Sequence, residues 1–347
     1  MGRSQRTADA AVSAPWTIVG QGLAGTCLAW ELWQRGVEFL LVDRETGGSS
    51  RVAAGLVNPV TGKNFEPSPG IGEFLPEALG FYAIIEKLLT LRIWHPLPIL
   101  RLADSAAEWN KMLGKTSRPD VARWLAGNGA PQSIDGWHGA LELTGGGRLD
   151  TRAFLDASRT FFQQQGIYQK SEIDIAAPGT RRIWCEGAAG LIRGRYGQHR
   201  CAKGEILTLR AESWPQSHIR IGAGGWLVPI GDGLFKAGST YEWEELDETP
   251  SSAGREKVTA IARRLGGDDA FEVTAHEAGV RPILRRSEAL IGPLGGGDWM
   301  FNALGSKGSL FAPGMARRLA CWLCDSIEPE ESVRYPAIRD LDDKAGG

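Results

Sequence analysis

Four local patterns between Trp16 and Asp43 follow one another in an order that few folds can use. A short apolar run, residues 16–19, leads directly into Gly20-Gln21-Gly22-Leu23-Ala24-Gly25, which has G-x-G-x-x-G spacing. A helical pattern comes next and is closed by Gly36. A second apolar run, residues 37–42, ends at Asp43. This succession of strand, glycine turn, helix, strand and acid predicts a βαβ unit that binds a dinucleotide.

Each part of the predicted unit has a physical task. Gly20 permits a tight turn, and Gly22 lets the backbone approach a pyrophosphate at the helix N-terminus, where free N–H groups and the helix dipole favour anions. Gly25 lets the helix and the strand pack closely, and the Asp43 carboxylate can accept hydrogen bonds from a ribose. The alternative is a glycine turn that only packs a helix on a sheet.

Charge and cysteine content restrict the class of protein. The chain has 39 basic and 41 acidic residues, so nothing makes it a general polyanion binder, although a local basic patch stays possible. We expect neither DNA nor a membrane as a partner. Five scattered cysteines without a signal-peptide pattern are typical of reduced thiols in a cytoplasm. Residues 1–15 and 339–347 are expected to be flexible tails.

The pattern along the chain predicts an α/β protein. Helical patterns alternate with buried strands at the start, middle and end, and residues 202–280 read mainly as strands, with a hairpin turn at Gly231-Asp232-Gly233. A helix is predicted over Asp104 to Leu113 with Asp104 as its N-cap. The expected architecture is one Rossmann-like nucleotide domain, a parallel sheet with helices, with a mixed or antiparallel sheet domain inserted into it.

Other chemistry finds little support. No second G-x-G-x-x-G follows a strand. Cys321 and Cys324 lie late in a helical pattern and are interpreted as two helical cysteines near a core, because one pair is too few for a structural zinc. The five histidines have no metal-ligand spacing, so we expect no metal site.

Six motifs occur in order between residues 16 and 325. They are the glycine unit with Asp43, Ala53-Ala54-Gly55-Leu56-Val57-Asn58-Pro59-Val60-Thr61-Gly62, Cys185-Glu186-Gly187, Lys203-Gly204-Glu205-Ile206-Leu207, Gly279-Val280-Arg281-Pro282, and Gly305-Ser306-Lys307-Gly308 through Ala312-Pro313. Together they resemble the FAD-dependent D-amino-acid oxidase superfamily, the group with glycine oxidase and sarcosine oxidase. A closer resemblance is to the FAD-dependent oxidoreductase domain of the bifunctional tRNA 5-methylaminomethyl-2-thiouridine biosynthesis protein.

The resemblance implies an oxidase or dehydrogenase that oxidises the C–N bond of a small amine or amino acid by hydride transfer to flavin N5. It implies an FAD-binding domain over 16–72, 140–202 and 276–328 and a substrate domain over 73–139 and 203–275. FAD is expected to be non-covalent, because no cysteine follows Arg281-Pro282, where covalent members carry one. The implied cofactor-binding residues are Gly20, Gly22, Leu23, Ala24, Gly25, Asp43, Arg44, Ser50, Ala53, Ala54, Gly55, Gly187, Gly305, Ser306, Lys307 and Gly308.

Four residues are candidates for the catalytic site. Arg281 matches the arginine that pairs with a substrate carboxylate in glycine oxidase-like members, and a guanidinium can hold a carboxylate through two hydrogen bonds. Lys307 can stabilise negative charge on the flavin or contact substrate, while Trp226 and Tyr241 can line the pocket. The alternatives are a structural arginine at a strand end, a solvent-facing lysine and aromatic side chains that only pack.

Two other functions stay open. One is the oxidative removal of a carboxymethyl group from a modified tRNA uridine, which predicts a basic rim around the flavin cleft. The other is a non-catalytic flavin-binding protein. Glu66-Pro67-Ser68-Pro69 stands where close relatives carry a basic and aromatic stretch, so substrate entry is expected to differ.

Overall fold

The computed structural model of the chain describes residues 15–173, 181–284 and 289–335, so the predicted tails lie outside it apart from Pro15. The α-helices are α1 (Leu23–Gln34), α2 (Ser49–Val52), α3 (Ile71–Leu89), α4 (Ala106–Leu113), α5 (Pro119–Ala122), α6 (Thr151–Gln164), α7 (Ala188–Ile192), α8 (Ser252–Gly266) and α9 (Gly308–Asp325). The strands that form the larger sheets are β1 (Trp16–Val19), β2 (Phe39–Asp43), β7 (Ile99–Ala103), β8 (Gly139–Leu143), β10 (Tyr168–Lys170), β11 (Arg182–Trp184), β12 (Ala202–Arg210), β13 (Ile219–Gly222), β14 (Gly225–Gly231), β15 (Leu234–Gly238), β16 (Glu272–Arg281), β17 (Leu290–Gly295) and β18 (Asp298–Asn302). The short strands of two small sheets are β3 (Leu56–Val57), β4 (Val60–Thr61), β5 (Glu66–Pro67), β6 (Trp94–Pro96) and β9 (Gly147–Leu149).

A six-stranded sheet contains the predicted βαβ unit. Its strand order is β10-β2-β1-β11-β18-β17, and all neighbours are parallel except β17, which runs antiparallel to β18. The carboxyl ends of β1, β2, β11 and β18 therefore meet at one edge of the sheet. In open parallel sheets this edge is where ligands bind.

Helix α1 packs against both α6 and α9, and Trp30 forms its contact with α6. Its indole is fully buried and donates a hydrogen bond of 2.9 Å from Nε1 to Ser158 Oγ. Phe161 and Phe162 of α6 contact the same ring. Because α1 is buried on several sides, the glycine turn before it is held rigidly against the sheet.

A seven-stranded sheet is built from the later part of the chain together with β7 and β8. Its order is β16-β12-β15-β14-β13-β7-β8, antiparallel except for the β13–β7 pair. The hairpin predicted at residues 231–233 joins β14 to β15 and is confirmed. β8 pairs with β7 here, so we propose that the boundary predicted at residue 140 belongs after residue 143. The other domain boundaries stay predictions.

The N-cap predicted for α4 is wrong by one residue. Ser105 is the cap, and its Oγ accepts the backbone N–H of Glu108 at 3.2 Å. Asp104 instead forms an ion pair of 2.9 Å with Arg264 of α8. Both residue types favour cap positions, so residue type alone did not distinguish them.

None of the helices in the described ranges combines the length and the apolar character that crossing a membrane requires.

Candidate functional site

A cavity of about 570 Å³ runs along the carboxyl edge of the six-stranded sheet and reaches the seven-stranded sheet. Gly20, Asp43, Cys185 and Asn302, at the ends of β1, β2, β11 and β18, line one side of it. Its volume falls within the range of pockets that bind small molecules and cofactors.

The structure brings almost every predicted site residue to this cavity. The lining includes Gly20, Gly22, Leu23, Ala24, Asp43, Arg44, Ser50, Ala53, Ala54, Gly55, Gly187, Trp226, Tyr241, Arg281, Gly305, Ser306, Lys307 and Gly308. Gly25 is absent from the lining among the described residues. It packs inside the turn, where a Cβ would overlap the carbonyl oxygen of Gly20.

The glycine turn is shaped by close backbone approaches. Gly20 has φ of +106°, and a Cβ there would lie 2.5 Å from the carbonyl oxygen of Cys185 on the next strand. A Cβ at Gly22 would lie 3.1 Å from Ser50 Oγ, which also accepts the backbone N–H of Leu23 at 3.2 Å. Side chains at these two positions would therefore change the shape of the turn or block the cavity beside it.

The Asp43 carboxylate stabilises the glycine turn by accepting backbone hydrogen bonds. Oδ2 accepts the backbone N–H of Gln21 at 2.7 Å, and Oδ1 accepts that of Glu45 at 2.6 Å. Each carboxylate oxygen has a second lone pair. The expected ribose contact is therefore compatible with this structural role and stays a proposal.

Two long helices begin at the cavity. α1 brings Leu23 and Ala24 to the wall, and α9 brings Gly308 and Ser309. Helix N-termini attract anionic groups through their N–H groups and dipole. The N-terminus of α1 can bind a pyrophosphate. The N-terminus of α9 can stabilise negative charge at the electron-rich end of an aromatic ring system. These features fit FAD.

Arg281, at the end of β16, lies flat in a narrow slot. A Cβ on Gly204 of β12 would overlap the guanidinium, so only the bare backbone of a glycine fits on that side. On the other side the ring of Tyr241 lies with its centroid 4.0 Å from the guanidinium carbon. Such stacking of a cation on an aromatic face is favourable and fixes the plane of the guanidinium.

The terminal nitrogens of Arg281 already have protein acceptors. The Nη2 group donates to Ser239 Oγ at 2.6 Å and to the carbonyl of Thr240 at 3.2 Å. The Nη1 group donates to the carbonyl oxygens of Ala202 and Lys203 at 3.5 and 3.3 Å. A two-bond grip on a carboxylate, as expected from the sequence, would therefore require some of these bonds to be exchanged.

No carboxylate neutralises Arg281 within the part of the chain that the structure describes. Burial is the main influence on its guanidinium and lowers its pKa from the ordinary value for arginine. Arginine nevertheless stays charged in proteins, so the cavity wall carries a desolvated cation.

The two aromatic candidates differ in their surroundings. The indole of Trp226 packs so closely over Gly238 that a Cβ there would lie 2.7 Å from Cζ2. Tyr241 is 46% exposed and lies next to the exposed ring of Trp243, with 5.8 Å between centroids. The Trp226 side chain is therefore held in place as part of the cavity wall, whereas Tyr241 lies at the entrance of the cavity.

Three further lining residues were not singled out by the sequence. Ser239 contacts Arg281, Glu248 contacts the loop after Asp43, and Asn302 donates from Nδ2 to the Gly187 carbonyl at 3.0 Å. None belongs to a recognisable short motif. Each is brought to the cavity by pairing between distant segments.

The segment Glu66-Pro67-Ser68-Pro69, which differs from the close relatives, forms ion pairs through Glu66. Its carboxylate pairs with Lys115 and, at 2.9 Å, with Arg118. The segment thus ties β5 to the region of α4 and α5. Thr61 and Ser68, on either side of it, line the cavity.

The two cysteines of α9 occupy different environments. Cys321 is partly buried, and its sulfur accepts a hydrogen bond of 3.1 Å from Arg35 Nη2. Cys324 is exposed. Neither lines the cavity.

A glycine turn with a terminal acid, a second helix N-terminus and a parallel sheet that ends at one shared cavity are the features of a dinucleotide-binding protein. The chain belongs to the FAD dependent oxidoreductase (DAO) family, whose model matches residues 16–322. The predicted α/β fold and the predicted FAD cofactor are confirmed by this membership.

The curated relatives that this chain matches are longer than it is. The tRNA 5-methylaminomethyl-2-thiouridine biosynthesis bifunctional protein MnmC of Marinobacter nauticus is 22% identical and covers 89% of this chain, but only 55% of the relative is matched. The protein of the same name from Burkholderia pseudomallei is 26% identical over 76% of this chain and 44% of its own length. The chain spans about half the length of the curated relatives that it matches.

Solved structures share the fold. Iminodiacetate oxidase from Chelativorans sp. BNC1 has a TM-score of 0.74 at 18% identity, covering 92% of this chain and 100% of that one. Glycine oxidase from Geobacillus kaustophilus has a TM-score of 0.76 at 18% identity, covering 92% and 97%. At this identity the likeness establishes the fold alone.

Proposed function

We propose that the protein oxidises the C–N bond of a small amine or amino acid that carries a carboxylate. N-substituted glycines are the first class to test, because two structural neighbours are an iminodiacetate oxidase and a glycine oxidase. The observation that carries the proposal is Arg281, a desolvated cation on the cavity wall. Among the described residues it has no carboxylate partner.

An unpaired buried charge is costly unless a ligand compensates it. The hydrogen bonds of Arg281 to carbonyl oxygens and to Ser239 satisfy its donors but supply no negative charge. A substrate carboxylate supplies that charge. Charge-assisted bonds are stronger than neutral ones, so exchanging the Ser239 bond for a carboxylate bond is favourable.

The remaining walls position the rest of the substrate. Trp226 and the aliphatic side chains of Ile206 and Ile221 are apolar and favour a neutral amine over its protonated form. FAD, when bound, supplies the redox chemistry by accepting the two electrons removed from the C–N bond. We assign Lys307 and the N-terminus of α9 to stabilising negative charge at the cofactor.

A second candidate is the removal of a carboxymethyl group from a modified tRNA uridine. The names of the curated relatives favour it. Charge does not decide between the two candidates: residues 242–248 include five carboxylates and no basic residue, whereas Arg44, Arg51, Arg159 and Arg193 line the cavity. RNA binding in this position would require basic side chains.

An anaerobic titration of the FAD-loaded protein tests the proposal. We expect sarcosine, iminodiacetate or another N-substituted glycine to bleach the flavin absorbance, and the matching carboxamide, such as sarcosinamide, to fail. Bleaching only by tRNA with a carboxymethylaminomethyl uridine would transfer the assignment to the second candidate. Retained FAD that neither an amine nor this tRNA bleaches would contradict both and indicate a non-catalytic flavoprotein.

A further inference from the structure

A single segment of the chain reaches both ends of the cavity. Residues 240–251 connect β15 to α8, and we call them the strap. Tyr241, near the start of the strap, lies over Arg281, and Glu248, near its end, lines the cavity beside the loop that follows Asp43. The strap belongs to the seven-stranded sheet by sequence, whereas the loop belongs to the six-stranded sheet.

Both ends of the strap are tied to β12. The backbone N–H of Glu205 donates to Thr240 Oγ1 at 2.9 Å. At the other end, Ser251 donates to the Glu205 carboxylate from its backbone N at 2.9 Å and from its Oγ at 2.7 Å. Glu205 is buried, so these contacts are shielded from water. Both ends of the strap are therefore fixed to the same residue of β12.

Lys203, two residues earlier on β12, holds the middle of the strap. Its backbone exchanges hydrogen bonds with Glu242 at 2.8 and 3.0 Å, and its Nζ pairs with Asp247 at 2.6 Å. The lysine is buried, whereas Asp247 is exposed. This pair places the next residue, Glu248, toward the six-stranded sheet.

Glu248 meets a loop whose shape suits it. The backbone N–H of Gly48 donates to Glu248 Oε1 at 2.8 Å. A Cβ on Gly47 would overlap the same carboxylate, and Gly47 and Gly48 have φ of +65° and +101°. Residues 44–48 all line the cavity directly after the acid of the dinucleotide unit. The contact, between two exposed residues, therefore joins the strap to the loop at the cofactor end of the cavity.

We propose that the strap retains FAD, with Glu248 as the positioning residue that fastens it to the cofactor-binding loop at Gly48. Release of the cofactor then requires this contact to open. The Lys203–Asp247 pair supports the closed position by fixing the strap next to Glu248. The inference concerns the cofactor alone and does not depend on the identity of the substrate.

The test is the rate of FAD release from the purified holoprotein. The protein is diluted into an excess of a flavin-scavenging apoprotein, and the loss of bound flavin is followed by its absorbance and fluorescence. Glu248→Ala removes the acceptor for Gly48, and we expect release about fivefold faster, as for the loss of one hydrogen bond. Glu248→Gln keeps an oxygen acceptor and is expected to stay near the wild-type rate.

Glu244→Ala is the matched control, because Glu244 is an exposed carboxylate of the same strap. It is expected to leave the release rate unchanged. Asp247→Asn, which weakens the pair with Lys203, is expected to accelerate release. Release at the wild-type rate in Glu248→Ala, with an unchanged circular dichroism spectrum, would overturn the proposal. Equal acceleration in Glu244→Ala would also overturn it, since the charge of the strap and not the contact would then be responsible.

Discussion

The guanidinium carbon of Arg281 lies 4.0 Å from the centroid of the Tyr241 ring. The opposite face of the guanidinium lies against the backbone of Gly204. The plane of the cation is thus set before any ligand arrives, and preorganisation of this kind lowers the entropy lost on binding. This relationship leads to the first three predictions.

Replacing Arg281 removes the charge proposed to bind substrate. Arg281→Ala is expected to raise KM for a carboxylate substrate about 100-fold, in the range known for truncation of one partner of a buried charge pair. FAD should stay bound, and the flavin absorbance of the purified variant checks this. Steady-state kinetics with a carboxylate substrate identified by the titration measures the effect. An unchanged KM would remove Arg281 from the site.

Adding one methyl group to Gly204 should displace the guanidinium. Because a Cβ there overlaps Arg281, Gly204→Ala is expected to raise KM for the same substrate by at least tenfold and to leave FAD bound. The control is Gly80→Ala in α3, where a Cβ meets nothing within 4 Å, and its kinetics should match the wild type. Normal kinetics in Gly204→Ala would mean that the slot does not orient Arg281.

The aromatic wall of the slot can be tested by two substitutions at Tyr241. Tyr241→Phe keeps the ring face and is expected to change KM little. Tyr241→Leu removes the cation–π contact, worth ~0.5–2 kcal/mol, and is expected to raise KM roughly two- to thirtyfold. Comparison of the two KM values separates the ring from the hydroxyl. A large effect in Tyr241→Phe would instead assign the role to the hydroxyl.

A bulky side chain at Gly22 should prevent cofactor binding. A Cβ at this position already lies 3.1 Å from Ser50 Oγ, so the two further methyl groups of valine must enter the cavity or displace Ser50. Gly22→Val is expected to purify without flavin and to fail reconstitution with FAD, as measured by absorbance. Circular dichroism checks that the chain is folded. Full flavin occupancy would contradict the assignment of this turn to the pyrophosphate.

The partly buried carboxyl of Glu31, in α1, should make the stability of the folded protein depend on pH. Burial raises the pKa of its carboxyl from the usual value of 4.5, and Arg35 only partly offsets the rise. Between the unfolded and the folded pKa the native state holds the proton more tightly, so its stability falls as pH rises through this window. Glu31→Gln is therefore expected to raise the melting temperature at pH 8 and to lose this advantage near pH 4. Exposed Glu38→Gln serves as the control, and an equal advantage at both pH values would refute the assignment.

The parts that the sequence determined are local. The strand, turn and helix of residues 16–34 follow from patterns within one short stretch, and the positive φ of Gly20 is a property that glycine permits and most other residues do not. The order of six motifs was enough to indicate the FAD family, and residues of all six line the same cavity. Residues that contact a shared ligand carry a recognisable pattern even when they are far apart in the chain.

Contacts between distant residues needed the tertiary structure. Gly204 is an ordinary strand residue until the pairing of β12 with β16 lays Arg281 across it. Glu248 lies 200 residues from Gly48, and no local pattern links them. The acceptors of Arg281 are mostly backbone carbonyls, which every residue possesses, so its side-chain position could not be read from residue types. Sequence patterns determined which segments line the cavity, and packing decided how the groups around Arg281 are arranged.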